Sequence, residues 1–211
     1  MSVISEQYRA LLPSLGSAGL VAVSKTFPAS DIQEIYDCGQ RSFGESRASE
    51  LAEKVKSLPA DIEWHFIGHL QSNKVKAVVE YSSWIHAVDS LKLLERIDRI
   101  AGELGKRPKL LLEVNVSGEE SKFGLRPEEL AELLAFKPEH CEVVGLMTMA
   151  PDGAPEPELR RIFTTLAGLA KSVGLPELSM GMSGDYPIAV ECGATMVRVG
   201  SAIFGRREYL K

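Results

Sequence analysis

Eight short apolar runs, each followed by a stretch with helical spacing, constrain the fold of this chain more than any other feature. Such repetition predicts parallel strands that are joined by right-handed helical crossovers. Eight units favour a closed (β/α)₈ barrel of the TIM type, and an open doubly wound sheet is the alternative. The runs lie at residues 20–25, 41–46, 63–68, 83–89, 109–117, 142–149, 177–182 and 195–201.

Apolar residues at three- and four-residue steps predict the helices between these runs. We expect one extra N-terminal helix at about residues 3–14. Because 211 residues is close to the lower limit of about 200 for such a barrel, we expect a single domain over residues 1–211. The clearest helical faces are Leu91, Leu94, Ile97, Ile100, Ala101 and Leu104, and Leu159, Ile162, Phe163, Leu166, Leu169, Ala170 and Val173.

Charge and cysteine content exclude several classes of protein. The net charge of −5 gives no general attraction to nucleic acid or to anionic lipid. No apolar run approaches the ~20 residues that a membrane-spanning helix needs. Cys38, Cys141 and Cys192 are odd in number and far apart, so neither a disulfide framework nor a thiolate zinc site is expected. We therefore expect a protein of the reducing cytoplasm.

Lys25 closes the first predicted strand, at the end where barrels carry their active sites. It shares one side of that strand with Val21 and Val23, and the other side is apolar as well. Because burial of a charged amine is costly, two interpretations remain. The amine reaches solvent or pairs with Glu45, or it is a desolvated amine that can form a Schiff base.

Small-residue turns follow the seventh and eighth strands, at residues 181–185 (GMSGD) and 199–205 (VGSAIFG). Their backbone N–H groups, with the hydroxyls of Ser183 and Ser201, are suited to holding a phosphate. Ordinary tight turns use the same residues. Two such turns at the usual phosphate position of barrels favour phosphate binding.

Arg198 lies within the last strand and must face a partner in the barrel or among the outer helices. Either it forms a structural salt bridge, or it contacts a ring nitrogen of a ligand. A reactive lysine, a phosphate site and an arginine on one rim together fit pyridoxal 5′-phosphate.

His65 and His69 are four residues apart, as in helical metal motifs, but their segment is typical of a strand followed by a turn. No other histidine or cysteine converges on them, so we expect no metal site. His65 is expected to be a hydrogen-bonded histidine inside the barrel.

The chain resembles the YggS/PROSC family of pyridoxal phosphate homeostasis proteins over nearly its whole length from about residue 20. The resemblance implies a single-domain barrel akin to the N-terminal domain of alanine racemase. The matching segments are AVSKTFP (22–28), FGES (43–46), WHFIGHLQSNK (64–74), HAVDS (86–90), EVNVSGEESKFGL (113–125), GLMTM (145–149) and residues 178–207.

This resemblance also implies roles for individual residues. Lys25 is the implied aldimine lysine, and Arg198 is implied to meet the pyridine nitrogen. The phosphate is implied to lie at Ser183, Gly200 and Ser201, and Met180 and Ser46 are among the implied cofactor-binding residues. Where this chain has Ser46, the family usually has the longer Asn. Lys122 corresponds to a family lysine linked to cofactor handling, and a solvated loop charge is the alternative.

The implied function is that of a non-catalytic carrier, which holds pyridoxal phosphate and supports its delivery to apo-enzymes that depend on this cofactor. We expect a monomer with no catalytic residues. A two-base racemase needs a proton donor on the opposite cofactor face, which relatives obtain from a second domain. The alternatives are a cofactor-dependent racemase or lyase, and a Schiff-base aldolase or phosphosugar isomerase that needs no pyridoxal.

Overall fold

Eight parallel strands close into a barrel in the computed structural model of the chain, which describes residues 2–119 and 123–206. β8 pairs with β1 and closes the sheet, with Leu20 opposite Val197 and Ala22 opposite Val199. The predicted closed barrel is therefore confirmed, and the open sheet is wrong. The strands are β1 (Gly19–Val23), β2 (Ser42–Glu45), β3 (Glu63–Phe66), β4 (Trp84–Val88), β5 (Lys109–Glu113), β6 (Glu142–Met147), β7 (Glu177–Ser179) and β8 (Met196–Val199).

Helices fill the connections between the strands. The predicted N-terminal helix is confirmed, and it continues into a 3₁₀ turn at Leu12–Leu15. The two long helices end at Gly105 and Gly174, whose φ angles of 63° and 72° suit glycine because it lacks a Cβ atom. The helices are α1 (Val3–Leu11), α2 (Ala29–Asp37), α3 (Ala48–Val55), α4 (Val75–Tyr81), α5 (Leu91–Leu104), α6 (Leu130–Ala135), α7 (Glu156–Val173), α8 (Tyr186–Glu191) and α9 (Ser201–Phe204).

Two hydrophobic clusters stabilise the barrel. The larger one lies between strands and helices and includes the inward faces of α5 and α7 that the sequence predicts. The smaller one fills the barrel interior with Val21, Trp84, Ala87, Leu111, Met147 and Met196. The barrel is thus a packed core, and in barrels of this type the functional sites lie where the strands end.

Two further expectations concern the cysteines and the helices of the described residues. Cys38, Cys141 and Cys192 are all free cysteines. Within residues 2–119 and 123–206, no helix is both long enough and apolar enough to cross a membrane.

Candidate functional site

A cavity of about 540 Å³ opens where the strands end, on the rim at which barrels carry their sites. We call it the mouth cavity. It brings together Lys25, Ser183, Arg198, Gly200 and Ser201, which the sequence analysis selected from three separate strand ends. The remaining lining is Val23, Ile67, Met149, Pro151, Asp152, Gly153, Ala154, Leu159, Met182, Gly184 and Asp185.

The backbone on the N-terminal side of Lys25 is anchored by a buried ion pair. Lys54 Nζ lies 2.7 Å from Glu45 Oε1 and also donates to the carbonyl of Ser24 at 2.9 Å. The hydroxyl of Ser24 donates to the same carboxylate oxygen at 2.7 Å. Burial raises the pKa of Glu45, and the neighbouring Lys54 opposes this shift. The carboxylate that the sequence offered as a partner for Lys25 thus pairs with Lys54.

The backbone on the C-terminal side of Lys25 adopts an uncommon conformation. Thr26 has a φ angle of 71°, which is rare for a β-branched residue and costs conformational energy. Its N–H donates to Glu50 Oε1 at 2.6 Å, and the same oxygen pairs with Lys54 at 2.6 Å. Contacts on both sides therefore fix the strand end that presents Lys25 to the mouth cavity.

The turns after β7 and β8 meet through one hydroxyl group. Ser183 Oγ accepts from the backbone N–H of Gly200 at 3.2 Å and from that of Ala202 at 3.3 Å. Gly181 shapes the first turn: its φ is 92°, and a Cβ atom there would lie 2.6 Å from the Cβ of Ala189. Backbone donors that converge on one oxygen atom are the arrangement by which proteins hold phosphate oxygens.

Arg198 faces the barrel interior and not the outer helices, the two positions that the sequence left open, and it lines the mouth cavity. Its guanidinium donates to Ser179 Oγ at 2.6 Å and to the carbonyl of Thr148 at 3.0 Å. Burial lowers its pKa to about 10, although the charges of Glu113 and Asp185 act in the opposite direction. The side chain is therefore a fixed hydrogen-bond donor that is oriented by neutral oxygens.

Glu113 is a buried carboxyl group near this arginine, and the sequence analysis did not select it. Burial is the largest cause that raises its pKa to about 7, the charge of Asp89 adds to the shift, and Arg198 opposes it. Glu113 shares an inward strand face with Leu111, because alternate residues of a strand face the same side. This alternation in the sequence could have placed Glu113 inside the barrel, but it could not show which side chains lie beside its carboxyl group.

The expectation that His65 is a hydrogen-bonded interior histidine is confirmed. His65 Nδ1 lies 2.9 Å from His86 Nε2, and His86 Nδ1 lies 2.9 Å from Ser179 Oγ. Burial lowers the pKa of both histidines. His69 instead lies at the rim, stacked on Phe123 and 3.4 Å from Asp89. No metal-binding cluster of three or more His, Cys, Asp or Glu residues occurs in the described parts of the chain.

Three predicted cofactor residues lie outside the mouth cavity or outside the described residues. Ser46 lines a neighbouring cavity of about 520 Å³. It packs closely on Gly68, since a Cβ atom added to Gly68 would lie 2.4 Å from the carbonyl oxygen of Ser46. Met180 is fully buried in the layer between barrel and helices. Lys122 lies outside the described residues. The cofactor roles of all three stay predictions.

Known proteins are similar to this chain in sequence and in fold. The family described as "Alanine racemase, N-terminal domain" matches residues 2–208. A pyridoxal phosphate homeostasis protein of Synechocystis sp. is 44% identical over 98% of each chain. PipY of Synechococcus elongatus, solved without PLP, is 44% identical, covers 96% of this chain and 100% of its own, and has a TM-score of 0.88. With PLP bound, PipY has the same coverage, 43% identity and a TM-score of 0.85.

Proposed function

The chain belongs to the family of pyridoxal phosphate homeostasis proteins, and on that premise we propose that it holds pyridoxal 5′-phosphate as a non-catalytic carrier. The observation that carries the proposal is the mouth cavity, which brings one amine, one fixed guanidinium and two anion-binding turns together. When bound, this cofactor supplies a reactive aldehyde and a pyridine ring.

The paired turns fit the phosphate end of the cofactor. A phosphate group carries about two charges and accepts several charge-assisted hydrogen bonds. The N–H groups of Gly200 and Ala202 already point at an oxygen atom, that of Ser183. We propose that Ser183, Gly200 and Ser201 hold the phosphate oxygens and supply most of the affinity.

Lys25 fits the aldehyde end. Its amine condenses with the aldehyde, forming a carbon–nitrogen double bond and releasing water. The buried Glu45–Lys54 pair and the constrained Thr26 hold the strand end beside it, so the amine meets the aldehyde from a fixed direction. Covalent retention explains how a carrier limits the free concentration of a reactive aldehyde.

Arg198 fits the pyridine nitrogen. A guanidinium donates hydrogen bonds and accepts none, so the nitrogen opposite it stays unprotonated. An unprotonated ring is a weak electron sink, which disfavours carbanion chemistry at a bound amino acid. This role supports a carrier over the alternative of a racemase or lyase.

The described lining of the mouth cavity also disfavours two-base chemistry. Its ionisable side chains are Lys25, Arg198, Asp152 and Asp185, and it includes no tyrosine, histidine or cysteine. We propose that the carrier acts in the cytoplasm as a single-domain monomer and transfers the cofactor to apo-enzymes.

The visible absorbance of the purified protein tests the proposal. We expect a yellow protein that loses its long-wavelength band in Lys25→Ala but keeps it in Lys56→Ala, which removes an exposed lysine. Borohydride reduction followed by peptide mass spectrometry should place the pyridoxyl group on Lys25. A colourless protein that traps a carbonyl substrate on Lys25 would favour the aldolase alternative, and a yellow Lys25→Ala variant would overturn the lysine assignment.

A further inference from the structure

A line of polar side chains crosses the barrel interior from the mouth cavity to the opposite end. Arg198 Nη1 lies 2.6 Å from Ser179 Oγ, which lies 2.9 Å from His86 Nδ1. His86 Nε2 lies 2.9 Å from His65 Nδ1. His65 Nε2 then faces Glu63 Oε2 at 3.4 Å. Glu63 is the first residue of β3, whereas Arg198 is near the end of β8, so the line spans the barrel along its axis.

The donors and acceptors in this line favour one direction for the protons, because a cation that only donates lies at one end and a carboxylate that only accepts lies at the other. Arginine carries five N–H donors and no acceptor, so Ser179 Oγ must accept from Arg198. The single proton of the serine hydroxyl is then available for His86 Nδ1. A neutral His86 that accepts at Nδ1 carries its proton on Nε2 and donates to His65 Nδ1. His65 then carries its proton on Nε2, which faces the carboxylate of Glu63 at 3.4 Å, whereas the reverse direction would turn a lone pair of His65 toward that carboxylate.

The surroundings favour the neutral form of both rings and the charged form of Glu63. Burial lowers the pKa of His86, and His65 and Arg198 add to this shift. Burial also lowers the pKa of His65, although Glu63 acts in the opposite direction. Glu63 accepts from Trp84 Nε1 at 2.9 Å and from Ser42 Oγ at 3.1 Å. The nearby His65, followed by the hydrogen bonds from Trp84 and Ser42, lowers the pKa of Glu63 to about 2.

We propose that Ser179, His86 and His65 form a hydrogen-bond relay that positions Arg198 toward the mouth cavity and ends at His65 Nε2, which faces the carboxylate of Glu63 at 3.4 Å. Ser179 and His86 are positioning residues, because they act through Arg198 and line no part of that cavity. Only the ligand of Arg198 rests on the proposed function. The relay and its two tautomers are properties of the protein without cofactor.

Nitrogen-15 NMR of the histidine rings in cofactor-free protein tests the relay directly. We expect both His65 and His86 to show the Nε2–H tautomer. Ser179→Ala should change the Nδ1 signal of His86, whereas Ser82→Ala should leave it unchanged, since Ser82 is buried but its hydroxyl makes no hydrogen bond. An Nδ1–H tautomer at His86, or an unchanged spectrum in Ser179→Ala, would overturn the relay.

Cofactor affinity tests the positioning role separately. Loss of one hydrogen bond that orients Arg198 should weaken pyridoxal phosphate binding about tenfold in Ser179→Ala. Ser179→Thr retains the hydroxyl and should recover most of the affinity, and circular dichroism checks that both variants fold. Equal affinity in Ser179→Ala and wild type would overturn the positioning role. If the wild-type protein binds no pyridoxal phosphate, the proposed function fails while the NMR result still decides the relay.

Discussion

Ser183 Oγ lies 3.2 Å from the backbone nitrogen of Gly200, and this contact joins the turn after β7 to the turn after β8 at one oxygen atom. The donors of the eighth turn are therefore already aimed at an oxygen before any anion arrives. Such preorganisation reduces the ordering cost of binding.

This geometry predicts that the turns contribute more affinity than the arginine does. A Gly200→Val, Ser201→Val double variant should weaken pyridoxal phosphate binding more than Arg198→Ala does. The phosphate accepts several charge-assisted hydrogen bonds, whereas the ring nitrogen accepts one, worth about 1–3 kcal/mol. Dissociation constants from absorbance titrations measure both effects. Pyridoxal without its phosphate is the control ligand, and a larger loss in Arg198→Ala would reverse this ranking.

The buried Glu45–Lys54 pair should be important for stability. Lys54→Met removes the cation that pairs with the fully buried carboxylate of Glu45 and leaves the hydrogen bond from Ser24, and removal of one partner of such a pair costs about 3–5 kcal/mol. Urea unfolding measures the loss. Lys56→Met, at an exposed position two residues along, should have little effect.

A second variant separates charge from packing at this pair. Glu45→Gln combined with Lys54→Met removes both charges, so it should recover part of the stability lost in Lys54→Met alone. No recovery in the double variant would mean that packing of the lysine stem, and not the unpaired carboxylate, causes the loss.

Glu113 should make the stability of the cofactor-free protein depend on pH. Its pKa is raised from 4.5 to about 7, so the folded state binds more protons than the unfolded state between these values. The contribution of Glu113 to stability is therefore fully present below pH 4.5 and falls by ~3 kcal/mol as the pH rises to about 7. Glu113→Gln removes this titration.

Urea unfolding of both proteins at pH 5 and pH 8 measures the effect. The free energy of unfolding of Glu113→Gln, relative to that of wild type, should rise from the lower pH to the higher one. The comparison cancels the titration of His65 and His86, which has the opposite sign because burial lowers their pKa values. An equal difference at both pH values would contradict the raised pKa of Glu113.

The strands and long helices could be predicted from the sequence because their periodicity is a local property. Residues of β1 alternate between two buried faces, and α5 and α7 carry apolar residues at every turn. Lys25, Ser183 and Arg198 could be selected because each lies at or near a strand end. Closure of the barrel then brought them to one cavity.

The interior polar residues could not be predicted in the same way. His86 is a polar residue in the otherwise apolar strand β4, and Ser179 ends the short strand β7, 93 positions further along the chain. Their contact depends on how strands of the closed barrel are staggered, which no local pattern specifies. The orientation of Met180, in contrast, follows from a local pattern. Met180 comes directly after Ser179, which faces the barrel interior, so alternation places the side chain of Met180 on the helix side of the sheet, where it lies.

We expect the purified protein to racemise alanine no faster than free pyridoxal phosphate with a simple amine. Lys25 can serve as one base, but the opposite face of the substrate would need a second group within hydrogen-bond reach of the α-carbon proton. Asp152 and Asp185 are the carboxyl groups in the described cavity lining. Burial raises the pKa of Asp185, yet its carboxylate accepts from the backbone N–H of Met182 at 2.6 Å, which holds it within its own turn.

If Arg198 meets the pyridine nitrogen as proposed, that nitrogen stays unprotonated and the ring withdraws electrons weakly, which also disfavours racemisation. Deuterium exchange at the α-carbon of L- and D-alanine, followed by chiral analysis of the product, measures any turnover. Lys25→Ala provides the background rate, and Lys122→Ala examines the lysine that lies outside the described residues. Protein-dependent inversion of alanine that disappears in both variants would identify a two-lysine racemase and overturn the carrier function.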